Sequence, residues 1–275
     1  MKQKLLFSSL LLAGLVALSA HNLFIKPESF YLKPNTQSKL YVYNGTFTES
    51  HSILARKRMA DISLVNPGEG VTHPDTASWY DMNNQSILEF NTGNEGTGVF
   101  GVSNFPRINE YTPEIFIENM KHEGLLDVLE ARRKAGEESK HVKKKYAKHV
   151  KTIFQIGNKL SDDYNTILGY PIELIPLSNP YALNVGDELQ MKLLINGKPM
   201  TGIMVYASHN DLHGYGEDGT PLDAFKTETD EHGIVKVKIT HAGHWYFRTV
   251  YLTKNADQDA DYVSNSASIT FEVRN

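Results

Sequence analysis

From Asn22 onward the chain is written in short runs where apolar and polar residues alternate, each run closed by a turn residue. The first, LFIKPESFYLKPNTQSKLYVYNGTF, sets Phe24, Phe30, Leu32, Leu40 and Val42 among polar neighbours and is broken by Pro27, Pro34 and Asn44-Gly45. A period of two buries one face of a strand, and prolines and Asn-Gly pairs punctuate strands. Further runs follow at DISLVNPG, around TASWYDM and at SILEFNTGNEGTGVFGVSN. Their spacing predicts an antiparallel β-sandwich over residues 21–108.

The middle of the chain changes character. Thr112-Pro113-Glu114 reads as a helix start, with Thr112 as the cap and Pro113 in the first helical position. Ile115, Phe116, Met120, Leu125, Leu126, Val128 and Leu129 form a stripe near helical period, with Gly124 as a dividing point. The charged stretch EARRKAGEESKHVKKKYAKHV is expected to continue as helix, giving a helical segment over 109–150 with His141 and His149 on a solvated face. Alternation then returns, and a second antiparallel sandwich is expected over 151–275. Asn196-Gly197 is a hairpin signal, and Asp230 to Gly233 a second turn. In HAGHWYFRTVY, His244, Tyr246, Arg248 and Val250 share one face and Trp245, Phe247, Thr249 and Tyr251 the other. The aromatic face is expected in the core, with His244 and Arg248 outward. The fold class is therefore mainly β: two antiparallel sandwiches of Ig-like or prealbumin-like type with a helical segment between them.

The first twenty residues read differently. Lys2 and Lys4 precede an apolar run from Leu5 to Leu18, followed by Ser19-Ala20. This is the plan of a cleaved export signal over 1–20, and the run is shorter than the roughly 20 residues that cross a bilayer. Two cuts fit: after Ser19, with Ala17 three residues back, or after Ala20, which leaves His21 as the amino terminus. The expected location is the periplasm, with no membrane insertion after cleavage. There is no cysteine, so neither a lipid-anchoring cysteine nor a disulfide framework is available and the core must stabilise the fold. Cleavage removes Lys2 and Lys4 and no acid, taking the net charge from −4 to −6. An acidic chain is a poor polyanion binder, and no nucleic-acid partner is expected.

Eleven histidines follow residue 20 and none has a cysteine partner, so a transition-metal site has to use imidazole, carboxylate or the terminal amine. Three candidates stand out. His21 offers an amine and an imidazole to one ion if it is the mature terminus. The loop HNDLHGYGED groups His209 and His213 with Asp211, Glu217 and Asp218, although a solvated loop accounts for the same composition. His241 and His244 flank a tight turn ahead of a strand. The chain has no G-x-S-x-G elbow, H-E-x-x-H helix, phosphate-binding loop or cysteine nucleophile, and no enzymatic activity is expected.

Several phrases together, among them HNLFIKPESFYLKPN, RKRMADISLVNPG, LGYPIELIPLSNPYALNVGDELQMKLLINGKP and TDEHGIVKVKITHAGHWYFRTVYL, resemble the DUF4198 family. That is a family of exported bacterial proteins loosely described as periplasmic components of nickel or cobalt uptake. The part with the GKP and TDEHG turns also resembles a carboxypeptidase-regulatory or prealbumin-like sandwich. His21, His213 and His241 stand where the resembling pattern has histidine, whereas Tyr251 stands where histidine is often found. The resemblance implies an exported binding protein that captures a divalent transition metal (Ni, Co, Cu or Zn) or its chelate for an envelope metal-uptake transporter. On this reading His21 converges with second-region imidazoles or carboxylates. The competing expectation is a non-catalytic envelope module that docks a protein or glycan.

Overall fold

The computed structural model describes residues 22–209, 224–255 and 259–274. The first β region contains β1 (Asn22–Pro27), β2 (Tyr31–Leu32), β3 (Gln37–Gly45), β4 (Ser50–Ser52), β5 (Met59–Asn66), β6 (Gly70–Thr72), β7 (Trp79–Met82), β8 (Gln85–Asn91), β9 (Gly96–Asn104) and β10 (Arg107–Tyr111). Helices α1 (Pro113–His122) and α2 (Leu126–Lys134) follow, then the long β11 (Val142–Ile156). The second region holds β12 (Ile172–Pro176), β13 (Glu188–Ile195), β14 (Lys198–Pro199), β15 (Met204–His209), β16 (Phe225–Glu228), β17 (Ile234–Lys238), β18 (Gly243–Lys254) and β19 (Tyr262–Val273).

One ten-stranded sheet, in the order β16-β15-β18-β19-β11-β9-β5-β6 with β10 and β2 also on β11, runs through both regions. Its neighbours are antiparallel except along β11, which pairs in parallel with β19 over nine residues and with the short β2. Two smaller sheets cover it. The first, β1-β3-β8-β7, lies over one face, where Phe154 and Ile156 of β11 meet Ile25, Leu40 and Leu88. The second, built on β12-β13 with β17, covers the opposite face, where Ile153, Phe247 and Phe271 meet Leu174 and Leu193. Period-two alternation along β11 feeds both cores, because Ile153 and Phe154 point to opposite sides. The fold is thus mainly β and sandwich-like, as expected, but the layers share a sheet. The expected boundary at 150/151 falls inside β11.

Several local expectations hold. Thr112 caps α1, its hydroxyl accepting from the Ile115 amide at 3.4 Å, with Pro113 first in the helix. Gly124 separates the helices in a left-handed conformation, φ +73°, that disfavours any side chain. Asn196 and Gly197 both have positive φ, the geometry a two-residue hairpin demands.

The helical segment does not reach residue 150. Helix α2 ends at Lys134, and 142–150 is strand. Lys143, Lys144, Lys145 and Lys148 gave this stretch a surface-helix composition, yet its residues pair with β10 on one edge and β19 on the other, and Val142, Ala147 and Val150 are buried. His149 is correspondingly buried at 4 % exposure instead of lying on a solvated face.

Where β12 crosses β11, Lys151 and Glu173 form an ion pair at 3.9 Å with both side chains almost wholly buried. Lys151 Nζ also donates to the Thr166 carbonyl, and Glu173 accepts from the Leu168 amide, so the pair anchors the connection ahead of β12. Burial pushes the Lys151 ammonium down to about 8, against the opposing pull of Glu173. The unfolded chain keeps an ordinary lysine value of about 10.4, so between these values the unfolded state binds more protons and stability rises with pH. Urea unfolding midpoints are therefore expected to increase from pH 8 to pH 10. In Lys151→Met the increase should be smaller, without vanishing, since burial also lowers Lys26 and Lys148 to about 8.

Candidate functional site

Strand β15 ends at His209, paired across to Trp245 of β18. His209 is 1 % exposed, its ring 5.1 Å from Trp245 and 4.2 Å from the ring of His241, the latter two planes 25° apart. His241 is exposed and sits in the turn that leads into β18. Its Nδ1 shares a 2.8 Å hydrogen bond with the Thr240 hydroxyl, and its carbonyl accepts from the Trp245 indole at 2.9 Å. The buried indole thus fixes the turn, and the turn sets His241 over His209. The fold brings together two of the sequence candidates.

His244 does not join them. One residue before Trp245, it points to the other face, where its ring lies 4.8 Å from Phe30 and its Nε2 3.7 Å from Glu272. His21 and His213, with Asp211, Glu217 and Asp218, lie outside the described residues. Asn22 lines a cavity with Val250 and Ser266, five residues along β18 from the Trp245 level, or ~17 Å at about 3.4 Å per residue. Among the described residues, no three His, Asp or Glu side chains group as a metal site.

Arg248 corrects the expectation of an outward face. It is 4 % exposed, stacks on Tyr206 at 4.4 Å and donates from Nη1 to Glu123 Oε2 at 2.7 Å. The alternation itself is as expected: Trp245 and Phe247 are fully buried. The opposite face is covered rather than solvated, since Tyr246 packs with Phe24 and Phe47, and the chain just beyond α1 closes over Arg248.

A polar row that sequence reading missed crosses the central sheet where the second covering sheet ends. Ser103 of β9 lies 2.8 Å from His149 Nδ1, and His149 Nε2 is 3.1 Å from Asn265 Oδ1 of β19. An Asn carbonyl accepts, which puts the ring proton on Nε2 and leaves Nδ1 to take the Ser103 hydroxyl proton. Next along the row, Asp61 accepts from Ser63 at 2.6 Å and from Tyr170 at 2.7 Å. Burial holds His149 below the usual imidazole range, so it stays neutral at pH 7. Ser103 is only 6 % exposed. The row therefore satisfies buried polar groups rather than presenting a nucleophile. The signal for it was present in VKKKYAKHVKTIF, where His149 and Lys151 share parity with Ile153.

This chain belongs to the family described as "Domain of unknown function (DUF4198)", which it matches over residues 18–253. No curated protein matches it. Among solved structures, the chain is similar to Salmonella alpha-2-macroglobulin reacted with methylamine, at 10 % identity and a TM-score of 0.24, covering 91 % of this chain and 15 % of that one. It is also similar to the D0-D1 domain of Intimin, at 10 % identity and a TM-score of 0.22, covering 90 % of this chain and 96 % of that one. For the Yersinia pseudotuberculosis adhesin InvE the values are 10 % and 0.23, over 92 % of this chain and 58 % of the adhesin. Scores of this size carry no functional argument.

The Arg248–Glu123 pair gives a test of what holds the helices to the sheet. Removing one partner of a buried pair strands the other charge, at a cost of about 3–5 kcal/mol. Glu123→Ala is expected to lose stability on that scale in urea unfolding, and Glu123→Gln, which keeps an acceptor oxygen, to lose less.

Proposed function

We propose that this is an exported periplasmic protein that captures a divalent transition-metal ion (nickel, cobalt, copper or zinc), free or chelated, and hands it to an envelope uptake transporter. The observation that carries this reading is the His209–His241 pair. An imidazole at the end of β15 and one in the turn before β18 meet at the end of the central sheet, and neutral imidazole is a favoured ligand for these ions in a chain without thiolates. Stacked rings do not aim two nitrogens at one point. Capture therefore requires the exposed His241 ring to turn, while His209, buried against Trp245, stays fixed. Asp211 and His213, which follow His209 in the sequence, supply the donor chemistry to complete a shell. The export signal read from residues 1–20 supports an activity outside the inner membrane.

Calorimetry of the mature chain against the four ions tests the proposal. Saturable binding of at least one ion is expected. It should weaken at least tenfold in His209→Ala and in His241→Ala, change little in His244→Ala, and fall off in acid as the imidazole ligands take up protons. Absence of binding to all four ions, or unchanged binding in the His209→Ala/His241→Ala double variant, overturns it.

A further inference from the structure

The first covering sheet carries tyrosines on the face that turns away from its core. Leu40, Leu88 and Trp79 point into the core, so by period two Tyr41, Ile87 and Tyr80 point the other way. The register sets them in one row across the sheet, with Lys26 of β1 opposite Tyr41 of β3, Tyr41 opposite Ile87 of β8, and Ile87 opposite Tyr80 of β7. Ile87 is 0 % exposed although it points away from the core. Its level neighbours on that face are Tyr41 and Tyr80, so the two phenol rings lie over it, and both keep part of their own surface open. Met82, 49 % exposed, extends the apolar surface beside Tyr80.

The polar groups around this row are already matched. Lys26 Nζ lies 4.0 Å over the Tyr43 ring and donates to the Phe47 carbonyl at 2.7 Å, which closes the β1 end. The Lys39 ammonium meets the Tyr80 hydroxyl and lies close to Tyr41 and Glu89. Glu89 also accepts from Gln37 at 3.2 Å, and Glu28 stands near Tyr41. Two lysines thus face two glutamates, and the surface has no net charge with which to attract an ion. Neighbouring strands lie ~4.8 Å apart, which puts Tyr41 and Tyr80, two strands apart, at ~10 Å. That is about the length of one disaccharide in a β1,4-linked chain.

We infer that this face docks an uncharged β1,4-linked glycan chain. Every second sugar lays its C–H face on a tyrosine, first Tyr41 and then Tyr80, and equatorial hydroxyls at the sides meet Lys39, Gln85 and Glu89. Tyrosine suits the task because it offers an apolar ring and a polar tip. A β1,4-linked chain is flat and extended, and so matches a sheet face. An α1,4-linked chain winds away and touches one ring only. The inference stands apart from the metal reading, since the row lies on β1, β3, β8 and β7 and the imidazole pair at β15 and β18.

The test is calorimetry of the full mature chain in metal-free buffer with chitohexaose, cellohexaose, maltohexaose and N-acetylglucosamine as probes. Saturable binding of chitohexaose or cellohexaose is expected, at least tenfold tighter than that of maltohexaose or the single sugar. Added salt should leave it unchanged, because no ion pair forms. Binding should weaken at least tenfold in Tyr41→Ala and in Tyr80→Ala, persist in Tyr80→Trp, and be unaffected in the His209→Ala/His241→Ala double variant. Should Tyr41→Ala uncover Ile87 and fail to fold, Tyr80→Leu, which covers Ile87 without a flat ring, carries the comparison. No saturable binding of either β-linked hexaose at millimolar concentration, equally tight binding of maltohexaose, or unchanged binding in Tyr80→Leu each overturns the inference. The first of these is the result expected of a face that docks a protein.

Discussion

The parallel pairing of β11 with β19, from Lys144 opposite Tyr262 to Thr152 opposite Thr270, is the contact on which the rest of this architecture depends. A parallel pair cannot be closed by a hairpin and needs a long return connection. Here the return is the second β region itself, so the pairing joins the two halves in one sheet and gives each covering sheet its own face. It also positions the start of β1. Ser268 and Thr270 of β19 turn their hydroxyls to the carbonyls of Leu23 and Ile25, both at 2.7 Å, so the first described strand is bonded to the last.

Because the two covering sheets are offset, each face of the central sheet runs from a β-covered core into a zone closed by something else. On one face the apolar row of Ile153 and Ile269 gives way to Lys151 and then to Ser103, His149 and Asn265, beneath the chain around Leu168 and Tyr170. On the other, Phe154 and Val150 give way to Lys148 and Arg248, beneath the end of α1. Buried polar groups are tolerated where each finds a partner. That condition holds for the first zone, where Ser103–His149–Asn265 and Ser63–Asp61–Tyr170 form two hydrogen-bonded runs. In the second, Arg248 pairs with Glu123 but keeps a buried Nη2 without a hydrogen-bond partner, and a cavity remains beside it.

Where polarity and burial coincide with period two, the sequence was readable. The strands around Phe24, Leu40 and Val42, the helix start at Thr112, the turn at Asn196-Gly197 and the core parity of Trp245 and Phe247 all follow from local rules. Two things did not. In VKKKYAKHV the lysines carry their charge to a rim or a cavity while their stems lie on the sheet, so composition suggested a surface helix where pairing on both edges makes a strand. Arg248 was expected outward because its strand was treated as the surface of a lone sandwich; a covering layer contributed by the other region is a long-range fact that no local pattern records. The meeting of His209 with His241 is of the same kind, since it depends on the β15–β18 register.

The His209–His241 pair and the cavity beside Val250 lie at different levels along β18. Some 17 Å separates the Trp245 and Val250 levels at about 3.4 Å per residue, roughly twice the Debye length of ~8 Å at physiological ionic strength. A charge at one level is therefore largely screened from the other through solvent. What does connect them is the strand, whose one face carries His244, Tyr246, Arg248 and Val250 in succession between the imidazole turn and the cavity. Tyr246 is locked among Phe24 and Phe47, and Arg248 is locked between Glu123 and Tyr206. A strand face packed this closely does not slide or twist in small increments. The fold therefore holds the imidazole pair and the cavity apart on a rigid rail, with the side chains between them serving as structure and not as a relay.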